Sequence, residues 1–198
     1  KEIAVINHLR KNGIPVPIYI ETISKEYNCV YKGKTIIVQE FIDGETLNNN
    51  EGNYEQTIEC AEIYGKIVLA LETLPIELPS SDISEWYSKE SFEVGIKKHE
   101  DLLLALNELD GTDIKIKKDI EKKIEMSKII RDTLDFSEMK NLTVKNTHGD
   151  YNLLQFIYKN GKVQAVIDFV SACRMPIVWE LIRSYSYIDK DAKDGEFN

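Results

Sequence analysis

The chain has 198 residues, of which 42% are hydrophobic, and its formal net charge at pH 7 is −9. A chain of this length can bury a substantial core in one domain or in two lobes. It contains no apolar run near the ~18 to 20 residues that a membrane span needs. Its acidic balance argues against a nucleic-acid-binding surface, which would show a basic face. We therefore expect neither a membrane nor a nucleic acid as a partner.

The cysteines Cys29, Cys60 and Cys173 are odd in number and show no C-x-x-C spacing. Reduced thiols of this kind are typical of the cytoplasm, so we expect a cytoplasmic protein. The negative charge would suit a cationic substrate, although solubility alone explains such a charge more often.

The first residues of the chain predict an amphipathic helix. Within Lys1–Asn12, apolar side chains recur on one face at Ile3, Ile6 and Leu9. A link rich in glycine and proline, Gly13-Ile14-Pro15-Val16-Pro17, follows this helix.

Two strand-like runs come next and predict a β-hairpin. They are Tyr27–Tyr31 and Thr35–Phe41, and the turn between them is Lys32-Gly33-Lys34. The second run leads into Gln39–Asp43. Taken alone, that segment is an ordinary strand that ends in an Asp-Gly turn.

Helical patterns dominate from Asn48 onward. Apolar residues at helical spacing predict a helix over Tyr54–Leu74, which Pro75 ends. Val94–Leu109 and Asp113–Leu134 are further helical candidates, and the charged face of the second is typical of solvated surface.

The strongest signal of chemistry lies near the end of the chain. Gln155–Tyr158 and Val163–Phe169 are typical of strands, and Asn160-Gly161 between them favours a type I′ turn. Pairing of these strands would bring Asp150 and Asp168 into one site. A loop aspartate that accepts a hydroxyl proton, with a second aspartate that holds Mg²⁺, is the arrangement that phosphoryl transfer requires. Considered singly, either residue could be a turn cap or a solvated acid.

Five motifs in order resemble the aminoglycoside phosphotransferase and choline kinase family. His148-Gly149-Asp150 and Ile167-Asp168-Phe169 are similar to the patterns H-G-D-x-x-x-x-N and I-D-F-x-x-x-x-x-x-P. The Gly13–Pro17 link is similar to a G-x-P-V-P link, and Glu40–Leu47 to an E-x-x-x-G-x-x-L hinge. Pro176–Leu181 is similar to a P-x-x-x-D-L closing motif. One such match is weak, whereas five in order are specific.

The resemblance implies an α+β, protein-kinase-like two-lobe fold. Residues 1–43 would be a remnant of the small β lobe with the hinge, and residues 44–198 a mostly helical large lobe with a catalytic β-hairpin. The chain carries neither a G-x-G-x-x-G loop nor a V-A-I-K-like lysine. It also stops soon after Glu180-Leu181, where the family normally continues. We therefore expect an internal fragment that has no measurable kinase activity by itself.

The resemblance also implies roles at the catalytic end. Asp150 would orient the acceptor hydroxyl and take its proton, and His148 would support this loop through hydrogen bonds. Asp168 and Gln155 would hold Mg²⁺. Glu180 would tie the final strand-to-helix turn through hydrogen bonds.

On the nucleotide side, the backbone carbonyl of Glu40 and the backbone N–H of Ile42 would face the adenine. Glu2 stands where the family places the glutamate that pairs with the phosphate-binding lysine. The implied reaction is Mg²⁺-dependent transfer of the γ-phosphoryl group of ATP or GTP to a hydroxyl of a small molecule, aminoglycoside-type or a related alcohol.

The chain departs from the family pattern near both aspartates. Gln155 stands where the pattern has asparagine, and Asn152 lies at the wrong spacing to replace it. Val170 stands where many relatives carry a second acid. These departures keep an alternative open, an inactive or weakly active kinase-like protein with a nucleotide-binding or structural role.

Overall fold

The computed structural model describes residues 1–81, 87–107 and 114–192. The helices are α1 (Glu2–Lys11), α2 (Tyr54–Leu71), α3 (Lys89–Asn107), α4 (Ile114–Thr133) and α5 (Ile177–Ile188). The strands are β1 (Cys29–Tyr31), β2 (Lys34–Ile36), β3 (Val144–Thr147), β4 (Phe156–Lys159), β5 (Lys162–Val166) and β6 (Cys173–Pro176). Short 3-10 helices span Phe136–Asn141, Leu153–Gln155 and Phe169–Ser171. No helix of the described residues combines the length and the apolar character that crossing a membrane requires.

The chain forms two compact units. One consists of Lys1–Ser81 with Thr143–Asn198, and the other of Asp82–Leu142. In the second unit, α3 packs against α4. Helix α3 begins at Lys89 rather than at Val94, because the hydroxyl of Ser88 accepts a hydrogen bond from the Ser91 N–H (3.1 Å) and caps it. The predicted helix ends at Leu109 and Asp113 lie outside the described residues.

Helix α1 confirms the first predicted element. It buries Val5, Ile6 and Leu9 in the core of the first unit. Gly13, at φ +77°, ends the helix in the left-handed conformation that glycine adopts without strain. The core continues through α2 and the segments that follow β3 and β5.

The predicted N-terminal hairpin is confirmed, but both of its strands are shorter than expected, since β1 begins at Cys29 and β2 ends at Ile36. Strands β1 and β2 pair antiparallel, with Cys29 opposite Ile36, across a turn at Lys32-Gly33. Residues beyond Ile36 pair with a different segment, since the N–H of Ile20 donates to the carbonyl of Val38 (2.8 Å). The sequence does not reveal this pairing, because the segment after Pro17 is too short to show an alternating pattern.

Helix α2 begins where predicted and ends earlier. Asn53 and Gln56 form a reciprocal capping box at its start. The helix proper ends at Leu71 rather than Leu74, because the last N–H groups bond three residues back instead of four, as in Leu74 N–H to Leu71 carbonyl (3.3 Å).

Two antiparallel strand pairs position the end of the chain. Strands β4 and β5 form the predicted hairpin, although β5 ends at Val166 and Phe169 begins a 3-10 helix instead. Asn160 and Gly161 both have positive φ (54° and 73°), as a type I′ turn requires. Strand β3 pairs with β6, which places Thr147 opposite Cys173. Helix α5 follows β6 directly.

Candidate functional site

The two aspartate loops touch each other at Gly149. This residue has φ +86°, and a Cβ atom there would overlap the carbonyl oxygen of Ser171, which belongs to the 3-10 helix after Asp168. Only glycine permits both the backbone conformation and the close approach. The packing therefore brings the Asp150 loop against the segment that carries Asp168.

The imidazole of His148 links the same two loops. Its Nε2 atom lies 2.9 Å from the carbonyl oxygen of Ile167, and its Nδ1 atom lies 3.3 Å from the backbone nitrogen of Asp150. The second contact requires an acceptor at Nδ1, so the network assigns the proton to Nε2, which donates to Ile167. The ring is fully buried and packs against Phe169, with centroids 4.4 Å apart.

Burial sets the charge of this histidine. It lowers the pKa of His148 from 6.5 to about 4, although the carboxylates of Asp150 and Asp168 act in the opposite direction. The ring is therefore neutral at pH 7, in agreement with an Nδ1 that accepts a hydrogen bond. A neutral, buried ring that bonds to two backbones can orient these loops.

Both carboxylate oxygens of Asp150 have a hydrogen-bond donor. Arg183 Nη2 donates to Oδ1 at 2.6 Å, and Gln155 Nε2 donates to Oδ2 at 3.1 Å. The Asp150 side chain is 35% exposed. A carboxylate held in this way stays accessible to a further hydrogen-bond donor from solution.

Glu180 fixes the loop from helix α5. Its buried carboxylate accepts the backbone N–H of His148 (3.1 Å) and that of Tyr151 (3.4 Å). Burial raises the pKa of Glu180, while hydrogen bonds from loop N–H groups oppose that shift. The sequence predicts these hydrogen bonds within the strand-to-helix turn, whereas the Glu180 carboxylate makes them to the His148–Tyr151 loop.

Arg183 is the site residue that the sequence does not reveal. It lies on α5 one turn after Glu180. Residues three apart share a helix face, so the placement of Glu180 could have directed attention to Arg183. A single arginine in a helix otherwise gives no signal.

Asp168 follows β5 in the left-handed conformation, with φ 64° and ψ 57°. Aspartate tolerates this conformation better than most residues. Its side chain is exposed and caps no N–H of the 3-10 helix that it precedes. The backbone on either side is fixed, because the Ile167 N–H donates to the carbonyl of Gln155 (2.9 Å) and Phe169 is buried.

The donor set at this end fits a loosely held Mg²⁺. No group of three or more His, Cys, Asp or Glu side chains suited to a metal lies within the described ranges. Mg²⁺ keeps several waters, however, and is usually bound by one or two carboxylates together with substrate phosphates. Asp168 supplies one such carboxylate. The amide nitrogen of Gln155 donates to Asp150, so its amide oxygen is free of that bond and is a second candidate ligand.

Among the described residues, the segment Gln39–Asp43 leaves two backbone groups without a backbone partner. The Glu40 N–H donates to the carbonyl of Ile18 (2.7 Å), and the Glu40 carboxylate accepts the Ile18 N–H (3.1 Å). Within the described part of the chain, neither the carbonyl of Glu40 nor the N–H of Ile42 has a backbone hydrogen-bond partner. The segment is anchored while these two groups stay available to a ligand.

Tyr19 is close enough to both Glu2 and Asp168 to feel their charges. Burial raises the pKa of Tyr19 to about 12, and the neighbouring carboxylates of Glu2 and Asp168 contribute to this rise. Next to Glu2, the amino group of Lys1 donates to the carbonyl of Ala172 (3.1 Å). Helix α1 is therefore packed against the segment that follows Asp168.

Two comparisons bear on the family of this chain. A family model described as "Phosphotransferase enzyme family" matches residues 1–197. Among proteins with curated functions, none matches the chain in sequence.

Similar solved structures include an aminoglycoside phosphotransferase from Alicyclobacillus acidocaldarius, with a TM-score of 0.62 and 15% identity over 93% of this chain and 57% of that one. A spectinomycin phosphotransferase in complex with ADP and spectinomycin matches with a TM-score of 0.56 and 16% identity, over 100% of this chain and 64% of that one. An amicoumacin kinase in complex with AMP-PNP and Ca²⁺ matches with a TM-score of 0.55 and 14% identity, over 91% of this chain and 50% of that one. At these identities the similarity shows the fold. The chain spans less than two thirds of the length of each.

Proposed function

The chain belongs to the phosphotransferase enzyme family, and we propose that it carries the catalytic centre of a Mg²⁺-dependent small-molecule kinase. The family match confirms the resemblance found in the sequence, and the solved structures confirm the α+β, kinase-like fold. The proposed reaction moves the γ-phosphoryl group of ATP or GTP to a hydroxyl of a small molecule.

The observation that carries this proposal is the His148 ring, which bonds to the Asp150 backbone on one side and to the residue before Asp168 on the other. A proton acceptor and a metal-binding carboxylate must keep a constant separation during phosphoryl transfer. A buried neutral ring between their backbones supports that geometry.

In the proposed reaction, Asp150 accepts a hydrogen bond from the acceptor hydroxyl and orients it in line with the γ-phosphorus. The acceptor oxygen forms a bond to phosphorus, and the bond to the leaving nucleoside diphosphate breaks, with its electron pair remaining on the diphosphate. Asp150 takes the hydroxyl proton and later releases it to solvent. Most of the rate enhancement comes from positioning and charge neutralisation.

Asp168, with the amide oxygen of Gln155, would hold Mg²⁺ beside the phosphates. The bound metal ion supplies charge neutralisation at the phosphate oxygens. Asp168 is suited to this role because it is exposed and caps no helix N–H.

The nucleotide would bind along residues 1–43, and residues 44–198 would carry the catalytic and metal-binding loops. The available carbonyl of Glu40 and N–H of Ile42 match the two hydrogen bonds that an adenine edge makes to backbone. Glu2 would complete this side by pairing with a phosphate-binding lysine. We place the protein in the cytoplasm, where the nucleotide is supplied.

The acceptor is an aminoglycoside-type molecule or a related small alcohol. Support comes from the similar structures, which are an aminoglycoside phosphotransferase and a spectinomycin phosphotransferase with ADP and spectinomycin bound. The test is a transfer assay with the complete protein, nucleotide labelled at the γ-phosphoryl group, Mg²⁺, and a panel of aminoglycosides and small alcohols. Label that moves to at least one acceptor supports the proposal, and label that moves to none refutes it.

One observation favours a second candidate, a kinase-like protein that binds nucleotide without transferring phosphate. Gln155 stands where the family has asparagine, and its amide binds Asp150. For this candidate, Mg²⁺-nucleotide would raise the melting temperature of the complete protein although the transfer assay stays negative. Transfer to any acceptor excludes it.

A further inference from the structure

We infer that Arg183 is a positioning residue that holds Asp150 in its reactive orientation, an inference that rests on the proposed function. The guanidinium Nη2 lies 2.6 Å from Asp150 Oδ1, at the short end for a charge-assisted hydrogen bond. Gln155 donates to the other oxygen at 3.1 Å. The carboxylate plane is thus set by two donors from two different elements.

The two donors leave room for the acceptor. A carboxylate offers about four lone-pair sites, and Arg183 and Gln155 use two of them. The Asp150 side chain is 35% exposed, so a hydroxyl from solution can reach the carboxylate. Without the two donors, the terminal torsion of an aspartate side chain has a broad distribution. A hydroxyl bound to a rotating carboxylate spends less time in line with the phosphorus.

Arg183 is itself held in place. Its guanidinium lies over the ring of Tyr187, 5.1 Å from the centroid and one helical turn further along α5. Helix α5 is fixed to the His148–Tyr151 loop by Glu180, whose carboxylate accepts the His148 N–H. Movement of the loop and movement of Arg183 are therefore coupled through one helix.

A purely structural role does not explain this arginine well. Its second terminal nitrogen, Nη1, is buried without a hydrogen-bond partner among the residues that the structure describes. An unpaired buried donor lowers stability. The ion pair involves an Asp150 side chain that is 35% exposed, and partly exposed pairs contribute little to stability. An arginine that is kept although its unpaired Nη1 lowers stability is consistent with selection for function.

The test compares kinetics of the complete wild-type protein with Arg183→Met, Arg183→Lys, Asp150→Asn and the double variant Asp150→Asn/Arg183→Met. Misplacing a reacting group by about 1 Å costs on the order of 10²-fold in rate. We expect Arg183→Met to lower kcat by about 10- to 10²-fold while KM for the nucleotide changes by less than about 3-fold. Arg183→Lys should recover part of the loss, since it restores one donor without the planar fork.

The double variant shows whether Arg183 acts by positioning Asp150 or has an effect on kcat that is independent of Asp150. If Arg183 acts through Asp150, removing it from a protein that already carries Asp150→Asn should change kcat by less than about 3-fold, because residues that act as a unit are not additive. Millimolar guanidinium should partly restore the kcat of Arg183→Met, whereas tetramethylammonium at the same concentration should leave that kcat unchanged. Lys190→Met, which removes an exposed cation just beyond α5, should behave as wild type.

Unchanged kcat in Arg183→Met overturns the inference, as do fully additive effects in the double variant. A melting temperature that falls steeply in both Arg183 variants, with no guanidinium rescue, would show a structural role instead. Absence of transfer in the wild-type protein refutes the proposed function and is thereby distinguished from failure of this inference.

Discussion

The burial of His148 predicts a specific loss of stability in mild acid. Its pKa is 6.5 before burial and about 4 in the folded protein. Between these values the unfolded chain binds a proton that the folded protein does not, so the free energy of unfolding falls as the pH falls. At pH 5, which is 1.5 units below 6.5, the loss is about 2 kcal/mol at ~1.4 kcal/mol per unit. The whole shift corresponds to about 3 kcal/mol near pH 4.

The perturbation is His148→Gln, whose amide N–H can still donate to the Ile167 carbonyl but cannot titrate. We expect this variant to be less stable than wild type at neutral pH, because the Asp150 N–H loses its acceptor. The difference should shrink by about 2 kcal/mol between pH 7.5 and pH 5. Urea unfolding of both proteins at several pH values measures this change. A partly exposed histidine replaced in the same way, His8→Gln, is the control for loss of a histidine as such.

The reasoning is refuted if the free energies of unfolding of wild type and His148→Gln change by the same amount between pH 7.5 and pH 5. An NMR titration of the His148 ring that is centred near 6.5 instead of about 4 would also refute it. Either result would mean that the ring is charged or solvated, and that it does not link the two loops as a neutral acceptor and donor.

Two further predictions concern the metal side. Asp168→Ala should abolish Mg²⁺-dependent nucleotide binding and transfer together, because the phosphate charge loses its compensation. Normal calorimetric binding of the Mg²⁺-nucleotide complex to this variant would make Asp168 a structural acid. Gln155→Asn should keep activity if residue 155 is a ligand, whereas Gln155→Leu should lower it, since leucine offers neither an amide oxygen for the metal nor a donor for Asp150. Equal activity of the two variants in the transfer assay would show that this side chain does not support the site.

The parts of the fold that the sequence predicts are those with a local cause. The Asn160-Gly161 turn is visible because positive φ at two successive positions requires such residues. Helices α1 and α2 can be predicted because their apolar spacing and the residues that end them lie within one short stretch of sequence. The hairpin then determines that the Asp168 segment returns to the Asp150 loop.

The parts that the sequence does not predict depend on contacts between distant residues. Arg183 reaches Asp150 only because α5 is docked on the loop through Glu180. The pairing of Ile20 with Val38 joins segments that are eighteen residues apart in the chain. Neither contact has a periodic pattern or a spacing that a single sequence could reveal.

The central claim is that Asp150 orients and deprotonates an acceptor hydroxyl. The most direct test is the turnover of Asp150→Asn against wild type, in the complete protein, with an acceptor that the wild type phosphorylates. We predict that kcat falls by about 10² or more, the low end for a general base, while calorimetry shows nearly unchanged binding of the Mg²⁺-nucleotide complex. Turnover close to that of wild type would contradict the account and remove Asp150 from its proposed role.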